Sequence, residues 1–255
     1  MRLNTTTCGL AFLLAVLCFI LLPQFVRSQR EPAWSYVGEN GPNSWGTLDS
    51  RYALCSAGQS QSPIDIKDAK KADLPALKFD YQTVPMNIID NGHSIEVNYP
   101  AGSTLRIGDS TYTLKQFHFH HPSEENVNGH ALDMVAHLVH VNAEGRLAVV
   151  AILLKRGAAN PLIDAVWKNI PKEKEQAVTI SEATLNVRDL LPTDHAYYTF
   201  SGSLTTPPCS EGVTWYVMKA PVTLSDTQIA FFAALYPLNA RPIQATNGRP
   251  ILETR

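Results

Sequence analysis

Three histidines have a spacing that suits metal chemistry: His118 and His120, two positions apart, and His137, seventeen residues after His120. Because side chains alternate between the two faces of a β-strand, His118 and His120 would share one face. A second strand, antiparallel to the first, would bring His137 opposite this pair. Three imidazoles around one zinc ion leave the fourth tetrahedral position open for water, as in catalytic sites. The spacing therefore predicts a catalytic metal centre.

The spacing alone leaves alternatives open. A histidine on a strand is often a surface group or a hydrogen-bonded core residue, and imidazole also suits copper, iron and nickel. His118, His120 and Glu124 resemble the first motif of a cupin, an iron-dependent oxygenase in which the glutamate is a ligand. Tyr112 stands where a cupin has glycine, however, and no Pro-x-Gly turn precedes His137. The cupin interpretation therefore fits less well.

Short strands separated by turns must position these side chains. Apolar and β-branched runs predict strands at residues 105–107, 112–119, 134–141 and 147–154, joined by turns such as Asn91-Gly92, Gly108-Asp109, Asn128-Gly129 and Glu144-Gly145. Helical patterns are confined to residues 161–169 and 225–235. Residues 29–60 are expected to pack irregularly over the sheet. The predicted fold class is mainly β (α+β): a single domain with a large, twisted, mostly antiparallel central sheet and short peripheral helices.

The first 28 residues have the pattern of a signal peptide, with Arg2 followed by an apolar run too short to span a membrane. Val26 and Ser28 suit a cleavage site that leaves residues 29–255 as one domain. An uncleaved anchor is the alternative. Of the 21 Lys and Arg residues, Arg2 and Arg27 lie in this segment, and the remaining 19 face 23 acidic residues. The mature net charge of −4 and the lack of a basic block argue against nucleic-acid partners.

Cysteine usage agrees with export. Cys8 and Cys18 lie in the predicted signal peptide, which leaves Cys55 and Cys209 in the mature chain. Two cysteines in an oxidising compartment favour one disulfide, and two unpaired buried thiols are the alternative.

A series of motifs spans most of the mature chain and resembles the alpha-class carbonic anhydrases, in particular their exported bacterial members. The motifs are Gln61-Ser62-Pro63-Ile64-Asp65, Asn91-Gly92-His93, Gln116-Phe117-His118-Phe119-His120, Pro122-Ser123-Glu124, His137-Leu138-Val139-His140, Ser203-Leu204-Thr205-Thr206-Pro207-Pro208 and Asn239-Ala240-Arg241-Pro242. The resemblance implies the alpha-carbonic anhydrase fold and a catalytic domain at residues 29–255. It also implies reversible hydration of carbon dioxide to bicarbonate and a proton, by attack of zinc-bound hydroxide.

The resemblance further assigns the metal and its surroundings. His118, His120 and His137 would bind Zn²⁺, and carbonic anhydrases are the standard example of such a site, in which bound water has a pKa of about 7. Gln116 would hydrogen-bond His118, and a backbone carbonyl near Asn239 would accept from His120. These partners would set the tautomer and orientation of each ring.

Other residues would serve the reaction. Thr205 resembles the gatekeeper that accepts a hydrogen bond from the hydroxide and donates its own proton to Glu124. Thr206 would line the same site. His93 matches the proton shuttle, helped by Asn91, which would order the water chain. The remaining assignments are an apolar wall for carbon dioxide, formed by Val139, Val149, Leu204, Val213 and Trp215, and a disulfide between Cys55 and Cys209 that braces the loop carrying the two threonines.

One position departs from the family pattern. Familiar members carry a glutamate two residues before the third histidine, where it accepts that ring's free N–H, and this chain has Val135 there. We therefore expect His137 to lack a carboxylate partner and zinc to be lost faster than in glutamate-bearing relatives. Restoring glutamate at position 135 would then slow the loss.

Two other functions compete with this interpretation. A non-catalytic binding protein on the same scaffold would usually lack one or more ligands, and a zinc esterase would use the same hydroxide. The expected partners are small molecules, carbon dioxide and bicarbonate, with no membrane after signal cleavage. A periplasmic location is favoured, while secretion from the cell and a homodimer stay open. The remaining histidines are expected to be ordinary exposed groups: His121, His130, His140 and His195.

Overall fold

The computed structural model describes residues 33–255, so the predicted signal peptide at residues 1–28 lies outside the described part. Its strands are β1 (Asp65–Ile66), β2 (Lys70–Ala72), β3 (Leu77–Asp80), β4 (Val84–Asp90), β5 (Ile95–Asn98), β6 (Thr104–Ile107), β7 (Ser110–His120), β8 (Asn126–Val127), β9 (His130–Ala131), β10 (Met134–Val141), β11 (Leu147–Arg156), β12 (Val178–Leu185), β13 (Tyr197–Ser203), β14 (Glu211–Met218), β15 (Val222–Leu224) and β16 (Leu252–Thr254). Its helices are α1 (Trp45–Leu48), α2 (Leu54–Ala57), α3 (Pro161–Lys168) and α4 (Asp226–Leu235), with 3₁₀ turns at Ser50–Tyr52 and Val187–Leu190.

The central sheet has the strand order β12-β4-β5-β7-β10-β11-β14-β13-β16-β2, and β3, β6 and β15 pair alongside this path. Most neighbours are antiparallel, whereas β11 runs parallel to β14 and β15, and β16 runs parallel to β2. A second, smaller sheet has the order β1-β8-β9. The predicted mainly β fold with a mostly antiparallel central sheet is therefore confirmed.

The predicted strands and helices are present, with ends that differ by at most two residues. The four predicted turns join the antiparallel pairs β4–β5, β6–β7, β8–β9 and β10–β11. Helix α4 begins with a capping box. The Ser225 hydroxyl accepts the Gln228 backbone N–H, and the side-chain oxygen of Gln228 accepts the Ser225 backbone N–H. Such caps satisfy amide groups that the helix itself leaves without partners. Among residues 33–255, no helix has both the length and the apolar character needed to cross a membrane.

Alternation along the central strands produces two different faces. On one face, Phe117 and Phe119 of β7 and Leu138 of β10 enter a large apolar core that α3 and α4 also cover. On the other face, a smaller apolar cluster around Trp215 and Val149 adjoins polar groups. The histidines predicted as ligands belong to this second face, which for clarity we call the site face.

Residues near the start of the described chain pack around a disulfide. Cys55 and Cys209 are bonded, with 5.0 Å between their Cα atoms, as predicted. Trp45 and Tyr52 are buried against the two cysteines. The bond closes a loop of 154 residues and ties α2 to the segment that follows β13.

Candidate metal centre

The register between β7 and β10 brings the three predicted ligands together. His118 lies directly opposite His137, and His120 lies opposite Val135. Because His118 and His120 are two positions apart, both rings project from the same face of β7. One nitrogen atom from each of the three histidines lies within 4.8 Å of the others. His120 and His137 are buried, and His118 is partly buried and lines a cavity of about 120 Å³.

Each ring also has a partner on its other nitrogen. Nδ1 of His118 lies 2.7 Å from Gln116 Oε1, and Nδ1 of His120 lies 2.7 Å from the backbone oxygen of Asn239. Nε2 of His137 lies 3.1 Å and 3.2 Å from the two carboxylate oxygens of Glu125. Since each of these partners is an acceptor, each ring donates its N–H outward. The lone pairs of His118 Nε2, His120 Nε2 and His137 Nδ1 therefore face the common centre.

The donor set fits zinc. Nε2 of His120 is buried and has no hydrogen-bond partner, which is costly unless an ion or a water occupies the centre. Burial lowers the pKa of His118 to about 3 and holds the pKa of His120 well below its ordinary value. Both imidazoles are therefore neutral at physiological pH, as metal ligands must be. Three imidazole nitrogens are a usual ligand set for catalytic zinc.

The third histidine has a different electrostatic environment. Burial lowers the pKa of His137, but the charge and hydrogen bond of Glu125 and the charge of Glu124 outweigh burial, and the pKa lies above its ordinary value. The expectation that His137 lacks a carboxylate partner is therefore wrong. Val135 contributes no acceptor, and Glu125 reaches the same ring from a separate segment, twelve residues earlier in the chain.

Glu124 lies on the other side of the centre. One oxygen, Oε1, accepts the backbone N–H of Arg241 at 2.8 Å, and the Thr205 hydroxyl lies near enough to the carboxylate to lower its pKa. Oε2 lies 3.5 Å from His120 Nε2. Burial is the main reason that the pKa of Glu124 rises to about 7; the charge of His137 opposes this rise, and the charge of Glu125 adds to it. A cation at the three histidines would oppose this effect and favour the ionised carboxylate.

A turn between β4 and β5 carries His93 into the cavity above His118. Asn91 Oδ1 accepts the backbone N–H groups of His93 and Ser94, at 3.0 and 2.8 Å, so that Asn91 shapes the turn. The His93 ring stacks on Trp34, with 3.7 Å between ring centroids and an interplanar angle of 9°. Partial burial lowers the pKa of His93, against the opposing charge of Glu175.

Apolar residues predicted to bind substrate gather beside the ligands. The ring of Trp215 lies 4.9 Å from that of His137, edge to face. Strand pairing places Val149 between Val139 and Trp215. The site-face cluster contains Val149, Val213 and Trp215, with the partly buried Val139 and Leu204 packed against it. Thr206 lines the cavity that contains His93, His118 and His120.

A polar network links the site to the disulfide. Arg241 is buried, and its guanidinium donates to Gln61 Oε1 and to the backbone oxygens of Ser62 and Cys55. Gln61 in turn donates to the backbone oxygen of Cys209. Arg241, which binds Glu124 through its backbone, therefore contacts one end of the disulfide directly and the other end through Gln61.

Sequence reasoning missed several residues of the site. Trp34, Tyr36 and Glu96 line the cavity around His93 and His118, although the sequence suggested only irregular packing for the first two. Glu125 stands beside the predicted Glu124, but residues 121–125 form bends and have no periodicity that would show which side chains turn inward. His140, expected to be exposed, is instead buried.

A mainly β fold that holds three pre-oriented imidazoles at one centre has the form of a metalloenzyme with a three-histidine site. Comparison with known proteins identifies the family. The family model for eukaryotic-type carbonic anhydrases matches residues 40–255. A carbonic anhydrase of Pectobacterium carotovorum is 44% identical over 220 residues, covering 86% of this chain and 90% of that protein. Another, of Klebsiella pneumoniae, is 43% identical over 243 residues, covering 94% and 97%.

Solved structures agree with this assignment. A hyperthermostable carbonic anhydrase from an active hydrothermal vent chimney superposes with a TM-score of 0.84 and 42% identity, covering 88% of this chain and 100% of that one. The chain therefore belongs to the eukaryotic-type, or alpha-class, carbonic anhydrase family.

Proposed function

We propose that this chain is a zinc-dependent carbonic anhydrase that reversibly hydrates carbon dioxide to bicarbonate and a proton. The supporting observation is that three imidazoles present bare nitrogens to one buried centre, each held by an acceptor on its opposite N–H. Bound by His118, His120 and His137, zinc would supply a hydroxide nucleophile at neutral pH. Neutral ligands leave the full charge of the ion available for this purpose.

Thr205 and Glu124 orient the nucleophile. The backbone N–H of Arg241 fixes one oxygen of Glu124, and the Thr205 hydroxyl lies beside the same carboxylate. A hydroxyl has one proton and two acceptor lone pairs. Because an ionised carboxylate can only accept, Thr205 donates its proton to Glu124 and turns a lone pair towards the centre. Thr205 therefore accepts a hydrogen bond from the nucleophile and fixes its direction.

The apolar wall accommodates carbon dioxide. This wall contains the side chains of Val139, Val149 and Trp215. The two valines have no hydrogen-bonding groups in their side chains. The Nε1–H of Trp215 already donates to the backbone oxygen of Ser203, so the wall offers the substrate no hydrogen bond from these side chains. An apolar molecule loses little by leaving water for such a surface. Leu204, Val213 and Thr206 complete the pocket, and bicarbonate, being charged, binds this wall less well.

His93 removes the proton. Its ring lies in the cavity that reaches His118, and imidazole is the side chain whose ordinary pKa best suits accepting and releasing a proton at physiological pH, although partial burial lowers the pKa of His93. Asn91 holds its turn and, with Glu96, provides polar groups along the same cavity. We infer that the proton passes through ordered water to His93 and then to buffer.

We further propose that residues 1–28 are a cleaved signal peptide and that residues 29–255 act as the catalytic domain in the periplasm. The Cys55–Cys209 bond supports an oxidising compartment.

The proposal is tested with the mature chain by stopped-flow carbon dioxide hydration and zinc analysis of the same sample. We expect one zinc per chain and rapid hydration. His118→Ala should lose both, whereas His130→Ala, an exposed histidine on β9, should retain both. Zinc bound without hydration above the buffer rate would contradict the proposal and favour a non-catalytic binding protein.

A further inference from the structure

Glu125 is buried against the ring of His137, in a place where it can hold that ring in position. Its side chain and that of His137 are at most 1% exposed. Both carboxylate oxygens lie within 3.2 Å of His137 Nε2. Within the described residues, His137 is the one hydrogen-bond partner found for this carboxylate. Burying a charged group is costly unless it is paired, so this contact accounts for the inward orientation of Glu125.

The backbone around Glu125 is held on both sides. The Ser123 backbone N–H donates to the backbone oxygen of Leu132 at 3.1 Å, and the Ser123 hydroxyl accepts from Leu132 N–H while donating to the backbone oxygen of Glu125, both at 2.9 Å. The next two residues form β8, which pairs with β1 and β9. The position of the Glu125 side chain is therefore fixed by a separate small sheet rather than by the ligand strand.

Position 135 cannot serve the same purpose. Val135 lies two positions before His137 on β10, so both side chains share the site face. It is fully buried and packs in the site-face cluster that also contains Ile64, Ile66 and Leu153. A valine side chain accepts no hydrogen bond, and the cluster leaves an additional carboxylate without a donor.

We propose that Glu125 is the positioning residue of the third zinc ligand, accepting the Nε2–H of His137 so that the Nδ1 lone pair is presented to the ion. The inference rests on the zinc site proposed above and concerns what controls its affinity. A fixed tautomer spares the ring the cost of reorienting when the ion binds, and the carboxylate makes the imidazole a stronger donor. The carboxylate for this ring thus comes from residue 125, in a different segment of the same chain from the ligand strand β10.

The test compares zinc-loaded wild type with Glu125→Gln, and with Glu144→Gln as a matched control in an exposed turn. Zinc release into excess chelator is followed at pH 7.5. Losing such a partner typically costs about 10- to 100-fold in metal affinity, so we expect release from Glu125→Gln to accelerate by this factor. Glu144→Gln should match wild type. In ¹⁵N-labelled zinc-loaded protein, the imidazole N–H resonance of His137 should move only in Glu125→Gln.

Equal release rates for wild type and Glu125→Gln, with an unchanged resonance, would overturn the inference while leaving the proposed zinc site intact. A wild-type chain that binds no zinc would instead refute the proposed function. Two further variants guard against a folding defect. Glu125→Asp keeps the charge but shortens the reach, and should release zinc at an intermediate rate. Val135→Glu should not slow release, because the His137 N–H is already bonded, and slower release would contradict the role of Glu125.

Discussion

His137 and His140 lie three residues apart on β10 and face opposite sides of the sheet. Both are buried. His140 has partners on both ring nitrogens: Nδ1–H donates to the backbone oxygen of Ala148 at 3.2 Å, and Nε2 lies 2.8 Å from the Tyr81 hydroxyl. His137 is bonded at Nε2, whereas the nearest acidic oxygen to Nδ1 is that of Glu124, at 3.8 Å.

The difference shows what separates a ligand from a core histidine. Burial alone does not distinguish the two, since it lowers the pKa of His140 to about 4 just as it does for His118. A ligand keeps one nitrogen free of partners inside the protein, while a second group fixes the other. In residues 33–255, the apolar core around Phe117 and Phe119 has no buried side-chain nitrogen or oxygen without a hydrogen-bond partner, whereas the site face has two, His120 Nε2 and Glu124 Oε2.

The largest effect is expected on the apolar face. Phe119 lies between two ligands in the sequence, is fully buried, and packs against Trp167 and Phe232 with centroid distances of 4.8 and 6.0 Å. Phe119→Ala should lower the free energy of unfolding by about 3–5 kcal/mol because it leaves a cavity. Denaturant unfolding at pH 7.5 measures this loss. Thr111→Ala, exposed on the same strand, should change the value by less than about 0.5 kcal/mol.

Zinc analysis of the folded Phe119→Ala protein tests whether the two faces of the sheet act separately. If the two faces act separately, the folded fraction still binds one zinc per chain. A stability loss below about 1 kcal/mol would show that the apolar face tolerates the cavity and that the contrast is overstated.

A smaller effect should appear in the pH dependence of stability. His140 has a folded pKa of about 4 and an unfolded pKa of about 6.5, so the unfolded chain binds more protons between these values. The contribution of His140 to the free energy of unfolding is fully present above about pH 6.5. As the pH falls to about 4, the free energy of unfolding decreases by about 3 kcal/mol from this group. His140→Gln, which has no titrating ring, should lack this part of the loss.

Unfolding of metal-free wild type and His140→Gln from pH 7 to pH 4 measures the difference. Contributions from other histidines cancel when the two curves are subtracted. Parallel curves would show that His140 is not held neutral in the core.

The smallest expected effect involves His93, the partly exposed histidine. His93→Ala should lower kcat by at least about 10-fold in dilute buffer, because proton removal loses its acceptor. The ratio kcat/KM for carbon dioxide should change little, since conversion of carbon dioxide precedes proton removal. Adding imidazole buffer should restore kcat. A fall in kcat/KM without rescue would instead indicate a structural role for the Trp34–His93 stack.

The sequence was sufficient for features that depend on local periodicity. The shared face of His118 and His120 follows from strand alternation, and the turn carrying His93 follows from turn chemistry, whereas the role of Gln116 was implied by the family resemblance. Helices α3 and α4 were predictable because each opens at a start signal, Pro161 for α3 and Ser225 with Asp226 for α4. The central sheet followed from the same patterns, and the Cys55–Cys209 bond followed from the cysteine count.

Features that depend on distant or irregular segments were not predictable in this way. Val135 suggested a missing partner because Glu125 lies in bends whose side-chain directions have no period. His140 was expected at the surface, since its partner Tyr81 is 59 residues away. The aromatic contact between Trp34 and His93 joins an irregular segment to a turn, and neither residue indicates the other.

The network around Arg241 affects the order in which the ligands and their supporting contacts form during folding. The three ligands lie within twenty residues of each other along the chain, so their strands can pair early. The carbonyl of Asn239 and the amide of Arg241 reach His120 and Glu124 across 119 and 117 residues. Contacts between such distant positions form slowly, because long loops must close first. We therefore expect the ligands to come together before their supports are complete, so that tight metal binding would have to wait until the segment containing Asn239 and Arg241 has docked.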